Sequence, residues 1–138
     1  MSDVLFTSHA KATGGREGHV KSDDGLIDLD LVQPGSKKDS VGSNPEQLFA
    51  AGYSACFDGA FNHVARAERK RVETETSVDV SLVKDGDGFK IAAAITVDVK
   101  GVSQEEAEDL LEKTHQFCPY SKATRGNIDV DLKVNVLE

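Results

Sequence analysis

The chain has 138 residues, with 16 Lys+Arg against 24 Asp+Glu and a formal net charge of −8. That length carries one domain, residues 1–138. Its 38% hydrophobic and 29% charged residues are the balance of a folded chain, not a disordered one. The acidic excess excludes the clustered Lys/Arg that a nucleic-acid surface needs, and it disfavours docking on anionic lipid.

No stretch reaches the 18 or so apolar residues of a membrane span. The least polar run, Leu48 to Phe61, is broken by Gly52, Ser54, Asp58 and Gly59. Met1 to Ala12 carries Asp3, His9 and Lys11 and has no apolar h-region, so it does not read as a signal peptide. A cytoplasmic location is expected, where thiols stay reduced. Cys56 and Cys118 are therefore not expected to form a structural staple.

The first elements are short strands. Thr7 to Lys21 alternates loosely around Gly14-Gly15, and Leu26 to Val32 alternates apolar and polar residues. Asp24-Gly25 between them is a hairpin signal. Gln33 to Ser43, with Pro34, two glycines and the Lys37-Lys38-Asp39 run, reads as an exposed loop that could alter access to a pocket. A helix then starts at Asn44-Pro45-Glu46-Gln47, with Asn44 as cap, Pro45 in the first helical position and Gln47 three residues after the cap. It is predicted to run to about Arg71. Gly52, Cys56, Gly59 and His63 form a narrow stripe on it, and Phe57, Phe61 and Val64 lie nearly opposite. A helix apolar on two sides reads as buried and central, and the glycine stripe would admit another backbone.

Val78–Val83 and Phe89–Val99 alternate at period two across Asp85-Gly86-Asp87-Gly88, a hairpin. Ser103-Gln104-Glu105-Glu106 opens a second helix with a capping box. Ala107, Leu110, Leu111, Thr114 and Cys118 follow at helical spacing, and Pro119 stops it. Asn127 to Leu137 alternates as a last strand. The order β-β-β-α-β-β-α-β makes an α+β fold with mostly antiparallel sheets around two central helices.

Cys56 sits about 12 residues from its helix cap, out of reach of the helix dipole, which acts mainly within the first turn. Burial among apolar residues would raise its pKa, so a nucleophilic Cys56 needs a nearby cation. Cys118 sits where the dipole disfavours an anion. If the two cysteines act together, Cys56 is the better attacker and Cys118 the resolver. Equally open on spacing alone is a pair of buried cysteines acting as small hydrophobes. Their separation of 62 residues matches neither a CxxC motif nor a metal-ligand spacing. His9, His19, His63 and His115 are scattered. His63 lies about 10 Å along the axis from Cys56, too far for a direct hydrogen bond on one straight helix. Arg16, between Gly14-Gly15 and Glu17-Gly18, is either a solvated turn residue or a cation aimed by the turn. Glu46 has an equally good reading as a helix-dipole partner.

Asn44 to Phe57 (NPEQLFAAGYSACF), Cys118-Pro119-Tyr120-Ser121 and Ala123 to Ile128 (ATRGNI) resemble the two signature segments of the organic hydroperoxide resistance (Ohr) proteins. These form a branch of the OsmC-like superfamily. Thr13-Gly14-Gly15-Arg16 is similar to that family's N-terminal motif, and the resemblance runs in order through the whole chain. It implies a thiol peroxidase that reduces organic hydroperoxides to alcohols, in the oxidative-stress response. It makes Cys56 the peroxidatic and Cys118 the resolving cysteine. Arg16 becomes the cation at the thiolate, and Glu46 the residue that holds Arg16. It also implies an intertwined homodimer with its sites at the subunit interface. No cofactor or metal is implied beyond an external dithiol, supplied by dihydrolipoyl groups of lipoylated proteins. An organic substrate wants an apolar tunnel, and Phe49, Phe57, Phe61, Phe117 and Tyr120 are candidate walls, although plain core packing is the better reading for most of them. The alternatives are a broader OsmC-type peroxidase and a non-catalytic disulfide switch.

Asp58 departs from the family pattern, which has an uncharged residue two positions after the nucleophile. On a helical wheel it points away from Cys56. Glu46 and Cys56 stand 10 residues apart on one helix, about 15 Å along its axis and about 80° around it. A glutamate cannot close that gap on a straight helix, so if both serve one site either the helix bends or Glu46 comes from the other subunit. The second is expected, with Arg16 accompanying it or bridging the interface.

Overall fold

A computed structural model describes residues 3–36 and 41–138. The Lys37-Lys38-Asp39 part of the expected loop lies outside the described residues. Two compact units divide the chain, one ending at Leu48 and the other spanning Phe49–Glu138.

The first unit is a three-stranded antiparallel sheet in the order β1 (Ala10–Thr13), β2 (His19–Ser22), β3 (Asp28–Asp30). A three-residue 3₁₀ turn, Gly15–Glu17, joins β1 to β2. Gly14 (φ 76°) and Gly15 (φ 64°) open that turn in the left-handed region, where a side chain would be strained. At Gly18 a Cβ would run into the Thr13 carbonyl oxygen. Beyond β3 the backbone clips back on itself: Leu31 N donates to Gly18 O at 2.8 Å, and Ser43 N donates to Asp30 O at 2.8 Å. Both the Arg16 turn and the segment entering the next helix are thus tied to β3. The sheet has almost no apolar interior of its own. Leu26 is 87% exposed, and Phe6, ahead of β1, is 82% exposed.

Helix α1, Pro45–Ala67, begins in the first unit and runs on through the second. Asn44 caps it by accepting from Gln47 N at 2.8 Å. The Gln47 side chain does not return to the cap; it accepts the Ser43 hydroxyl at 2.6 Å. The helix ends four residues before the expected Arg71. Lys70 N donates to Ala65 O at 2.8 Å and Arg69 N to Arg66 O at 2.9 Å, the two bonds of a Schellman end. Its left-handed residue is Arg69 (φ 60°), where glycine is usual, so no stop signal was written in the sequence.

In the second unit, β4 (Glu73–Asp85) and β5 (Gly88–Lys100) pair antiparallel through a two-residue turn with Gly86 at φ 59°. Strand β6 (Val130–Val136) lies beside β5 and parallel to it. That is one exception within mostly antiparallel pairing, and it follows from a connection through helices that carries the chain back across the sheet. Helix α2 (Gln104–Phe117) opens with a complete Ser103/Glu106 capping box. The chain does not simply stop there. Cys118 caps the C-terminus of α2 and the N-terminus of a further helix, α3 (Pro119–Thr124), with Pro119 in its first turn. Pro119 therefore both ends one helix and starts another.

One apolar core serves this unit. Tyr53, Phe57, Phe61, Val64 and Ala65 of α1 meet Ile95, Val97 and Val99 of β5 and Ala107, Leu110 and Leu111 of α2. Only that side of α1 is covered. Ala51, Ala55, Gly59 and His63 are exposed, so within one chain the helix is not buried all round as expected. Among the described residues, no helix is long and apolar enough to cross a membrane.

Candidate functional site

The residues expected to act together fall into two pairs, one in each unit. In the first unit, Arg16 makes a two-pronged ion pair with Glu46, Nη1 to Oε1 at 2.9 Å and Nη2 to Oε2 at 2.7 Å. Two parallel N–H···O bonds fix the guanidinium plane as well as its distance. Three-ten turn geometry aims Arg16, and the Asn44 cap places Glu46 in the first turn of α1. The bond to Arg16 holds the Glu46 carboxyl below the usual carboxylate range, against a smaller opposing effect of burial. The same bond raises the Arg16 guanidinium further. Arg16 still shows 45% of its side chain to solvent, so its outer face is open to a second anion.

In the second unit, the Cys118 thiol points at Cys56, with the sulfurs 3.5 Å apart. Both thiols are free; Cys56 is half-buried and Cys118 fully buried. A disulfide needs about 2.05 Å, so closure asks for a movement of only about 1.5 Å. Burial pushes the Cys56 thiol up from its ordinary value. The Tyr120 backbone N–H works the other way, by hydrogen-bonding the Cys56 sulfur, and the neighbouring Cys118 raises the thiol again. Sequence reading missed the Tyr120 N–H, because it arises from α3, whose start was taken for a stop.

Of the five candidate walls, Phe57 and Phe61 are fully buried core residues and present no surface. Phe49 packs edge-on to Tyr120 (ring centroids 5.7 Å apart) and to Tyr53 (6.0 Å), and Tyr53 lies 5.6 Å from Tyr120. Phe117 lies flat on His63, centroids 4.7 Å apart and planes within 4°. Phe117 is 46% and Tyr120 37% exposed. These three aromatics, not all five, can face a ligand. The glycine stripe also differs from expectation. At Gly52 the close neighbour is the Tyr120 side chain, whose Oη would lie 2.5 Å from a Cβ, and among the described residues nothing comes within 4 Å of a Cβ at Gly59. Gly52 makes room for a tyrosine, not for a backbone.

Asp58 does have partners, and they explain its charge. Its Oδ1 accepts from Thr74 Oγ1 at 2.7 Å and Thr76 Oγ1 at 2.8 Å. Asn62 Nδ2 donates to Thr74 Oγ1 and to the Asp58 carbonyl, both at 2.8 Å. This polar seam ties α1 to β4 and leaves the sulfurs alone. His19 sits between Asp30 (Nδ1, 2.8 Å) and Asp28 (Nε2, 2.5 Å), which raise its pKa, Asp30 first. Among the described residues, no group of three or more His, Cys, Asp or Glu is placed to hold a metal ion.

Two thiols in contact and a clamped arginine suit redox chemistry at sulfur with an anion-stabilising cation. Comparison with known proteins points the same way. The family model for OsmC-like proteins matches residues 35–133. An organic hydroperoxide resistance protein of Bacillus subtilis, OhrB, is 51% identical over 134 residues, 95% of this chain and 98% of the relative. A second from the same organism, OhrA, is 53% identical over 139 aligned positions, 97% and 99% of the two chains. The crystal structure of that OhrB superposes with a TM-score of 0.92 at 50% identity, covering 96% of this chain and 100% of the other. An organic hydroperoxide resistance protein from Elizabethkingia anophelis gives 0.90 at 45% identity, covering 99% and 100%.

Proposed function

The chain belongs to the OsmC-like family, in its organic hydroperoxide resistance branch, and on that premise we propose that it is a cysteine-based organic hydroperoxide reductase. The observation that carries this reading is the 3.5 Å contact between Cys56 and Cys118. A half-buried thiol in contact with a fully buried one suits a peroxidatic and a resolving cysteine.

The cycle has three steps. The Cys56 thiolate attacks the terminal oxygen of the hydroperoxide. The O–O bond breaks, the sulfur takes the hydroxyl as a sulfenic acid, and the alkoxide takes a proton and leaves as the alcohol. Cys118 then attacks the sulfenic sulfur, forming the Cys56–Cys118 disulfide and releasing water. An external dithiol reduces this disulfide by two exchanges and is itself oxidised to a cyclic disulfide. Dihydrolipoyl groups on lipoylated proteins are the dithiol we assign, and the protein needs no bound cofactor.

Cys56 needs a cation, since burial favours the neutral thiol. Arg16 is that cation in our reading, with Glu46 fixing its plane. It stabilises first the thiolate and then the charge developing on the leaving alkoxide. Glu46 stands about 15 Å along α1 from Cys56 of the same chain, which supports a site shared between two copies: the Arg16–Glu46 pair of one subunit serves the sulfur pair of the other. The exposed apolar residues Leu26, Phe6 and Phe89 (87%, 82% and 68%) and the uncovered Ala51–Ala55–Gly59 side of α1 support a homodimer as well. Phe49, Phe117 and Tyr120 would give the organic group of the substrate its apolar wall.

The test is steady-state turnover of tert-butyl and fatty-acid hydroperoxides against hydrogen peroxide, with dihydrolipoamide or thioredoxin as reductant. Preference for the organic peroxides and for dihydrolipoamide is expected. Equal use of hydrogen peroxide would favour the broader OsmC-type enzyme. Stoichiometric oxidation with no turnover on any dithiol would favour a redox switch.

A further inference from the structure

Tyr53, His115, Ser121 and Thr124 are polar side chains buried in an otherwise apolar core. None of their hydrogen bonds goes to a sulfur, and the cycle above uses none of them. They form one connected chain centred on a single hydroxyl. Ser121 Oγ lies 2.8 Å from Tyr53 Oη and 2.8 Å from His115 Nδ1. Tyr53 Oη also lies 3.0 Å from Thr124 Oγ1. Arg125 Nη1 donates to the His115 carbonyl oxygen at 2.9 Å, closing the far end of α3 onto α2.

The placement of these partners is specific. Tyr53 stands three residues before Cys56 on α1, His115 three residues before Cys118 on α2, and Ser121 three residues after Cys118 on α3. One buried hydroxyl therefore joins the helix of the first cysteine to both helices that flank the second. Helix α3 has six residues, too few to hold itself together, so its position comes from what it touches. Apolar contacts would keep it in place only loosely, because they have no direction. Hydrogen bonds do have direction, and a buried network that is fully satisfied rigidifies what it joins. An alanine at 121 would leave the buried His115 Nδ1 without its partner and Tyr53 Oη with Thr124 alone, so this one hydroxyl holds the junction together.

We propose that Ser121 is a positioning residue for the resolving step: its hydroxyl pins α3 to both cysteine-bearing helices and so keeps the Cys118 sulfur aligned on the Cys56 sulfenic acid. This rests on the peroxidase reading given above. Resolution requires Cys118 to approach the sulfenic sulfur opposite the departing oxygen, with water as the leaving group. A misplacement of about 1 Å in such an approach costs up to about 100-fold in rate. Sulfenylation of Cys56 needs no such alignment with α3, beyond the single hydrogen bond from Tyr120 N–H. The effect of losing the hydroxyl therefore falls mainly on the second step.

Rapid mixing of the reduced protein with tert-butyl hydroperoxide separates the two rates, with sulfenic acid read by dimedone trapping and disulfide by mass. In Ser121→Ala the ratio of resolution to sulfenylation should fall about 10- to 100-fold. Sulfinic acid should then build up on Cys56 as peroxide is raised. Tyr53→Phe removes one of the two anchors and keeps the ring in place, so an intermediate fall is expected. That variant also serves if the serine variant does not fold. Ser121→Thr keeps the hydroxyl and should restore the ratio. An unchanged ratio, or an equal fall in both steps, overturns the proposal. Failure of the wild-type protein to form any Cys56 sulfenic acid instead overturns the peroxidase reading itself.

Discussion

Replacing Asp58 with alanine should destabilise the fold and leave the chemistry of each folded molecule intact. Asp58 Oδ1 is the shared acceptor for two hydroxyls on β4, Thr74 at 2.7 Å and Thr76 at 2.8 Å. Alanine removes that oxygen and leaves both donors unpaired in a half-buried seam. A hydrogen bond to a charged group contributes about 1.5–3 kcal/mol when buried. The seam is only partly buried, so water recovers part of the loss, and about 2–4 kcal/mol is expected for the pair. For a chain of this size that lowers Tm by roughly 10 °C. Asp58→Asn keeps an oxygen at the same place and should cost about 1 kcal/mol or less. Urea unfolding at one fixed protein concentration measures both, so that any self-association weighs equally on each variant. Turnover per folded molecule should stay within about twofold of wild type. An Asp58→Ala protein within about 0.5 kcal/mol of wild type would refute the reasoning. So would an asparagine variant as unstable as the alanine.

Gly52→Ala puts a methyl 2.5 Å from Tyr120 Oη and 3.1 Å from its Cζ. The helix gains about 1 kcal/mol in propensity, and displacing the ring costs about 1–3 kcal/mol. A net loss is expected, read by thermal unfolding, together with a shift in the aromatic near-UV signal of Tyr120. Arg16→Ala should lower kcat/KM for tert-butyl hydroperoxide by about 100- to 1,000-fold, the usual cost of losing a group that stabilises developing negative charge. Its pH profile should move too. Burial raises the Cys56 thiol and a cation lowers it, so removing the cation shifts the alkaline rise in rate to higher pH; an unmoved profile counts against Arg16 as the thiolate's partner. Glu46→Gln should show the smaller loss, because the arginine stays but its plane is no longer fixed. The ion pair itself adds stability above the unfolded carboxylate range, and this is lost as pH falls through the depressed Glu46 pKa.

Local signals carried much of the fold. Asn44-Pro45 and Ser103-Glu106 mark helix starts because capping is a matter of neighbouring residues. The β4–β5 turn is legible because Gly86 must take a positive φ. What the sequence hid was hidden for physical reasons. Arg69 ends α1 in a conformation that side chains rarely adopt, so the stop carried no glycine. Pro119 suits both a helix end and a helix start, and α3 went unread. Alternation in β6 is the same for either strand direction, so its parallel pairing could not be read from it. The partners of Asp58 lie 16 and 18 residues away on another element.

The site was legible only in part. Spacing left Cys56 and Cys118 open between a redox pair and two small hydrophobes, since a contact across 62 residues depends on how three helices pack. Resemblance supplied the pairing of the residues, and of the five candidate wall aromatics Phe57 and Phe61 are core, the reading that plain packing favoured for most of them. The Tyr120 N–H and the Ser121 junction were out of reach, because both arise from a helix whose existence depends on tertiary contacts.

The central claim is that Cys56 takes oxygen from an organic hydroperoxide and Cys118 resolves it. Mass analysis of wild-type, Cys56→Ser and Cys118→Ser proteins after one equivalent of tert-butyl hydroperoxide tests this directly. The wild type should lose two hydrogen atoms as a Cys56–Cys118 disulfide within one chain. Cys118→Ser should gain a single oxygen, trappable by dimedone at Cys56, and Cys56→Ser should remain unchanged. Oxidation of Cys56→Ser at Cys118 at the wild-type rate, or an untouched Cys56 in Cys118→Ser, would contradict the account.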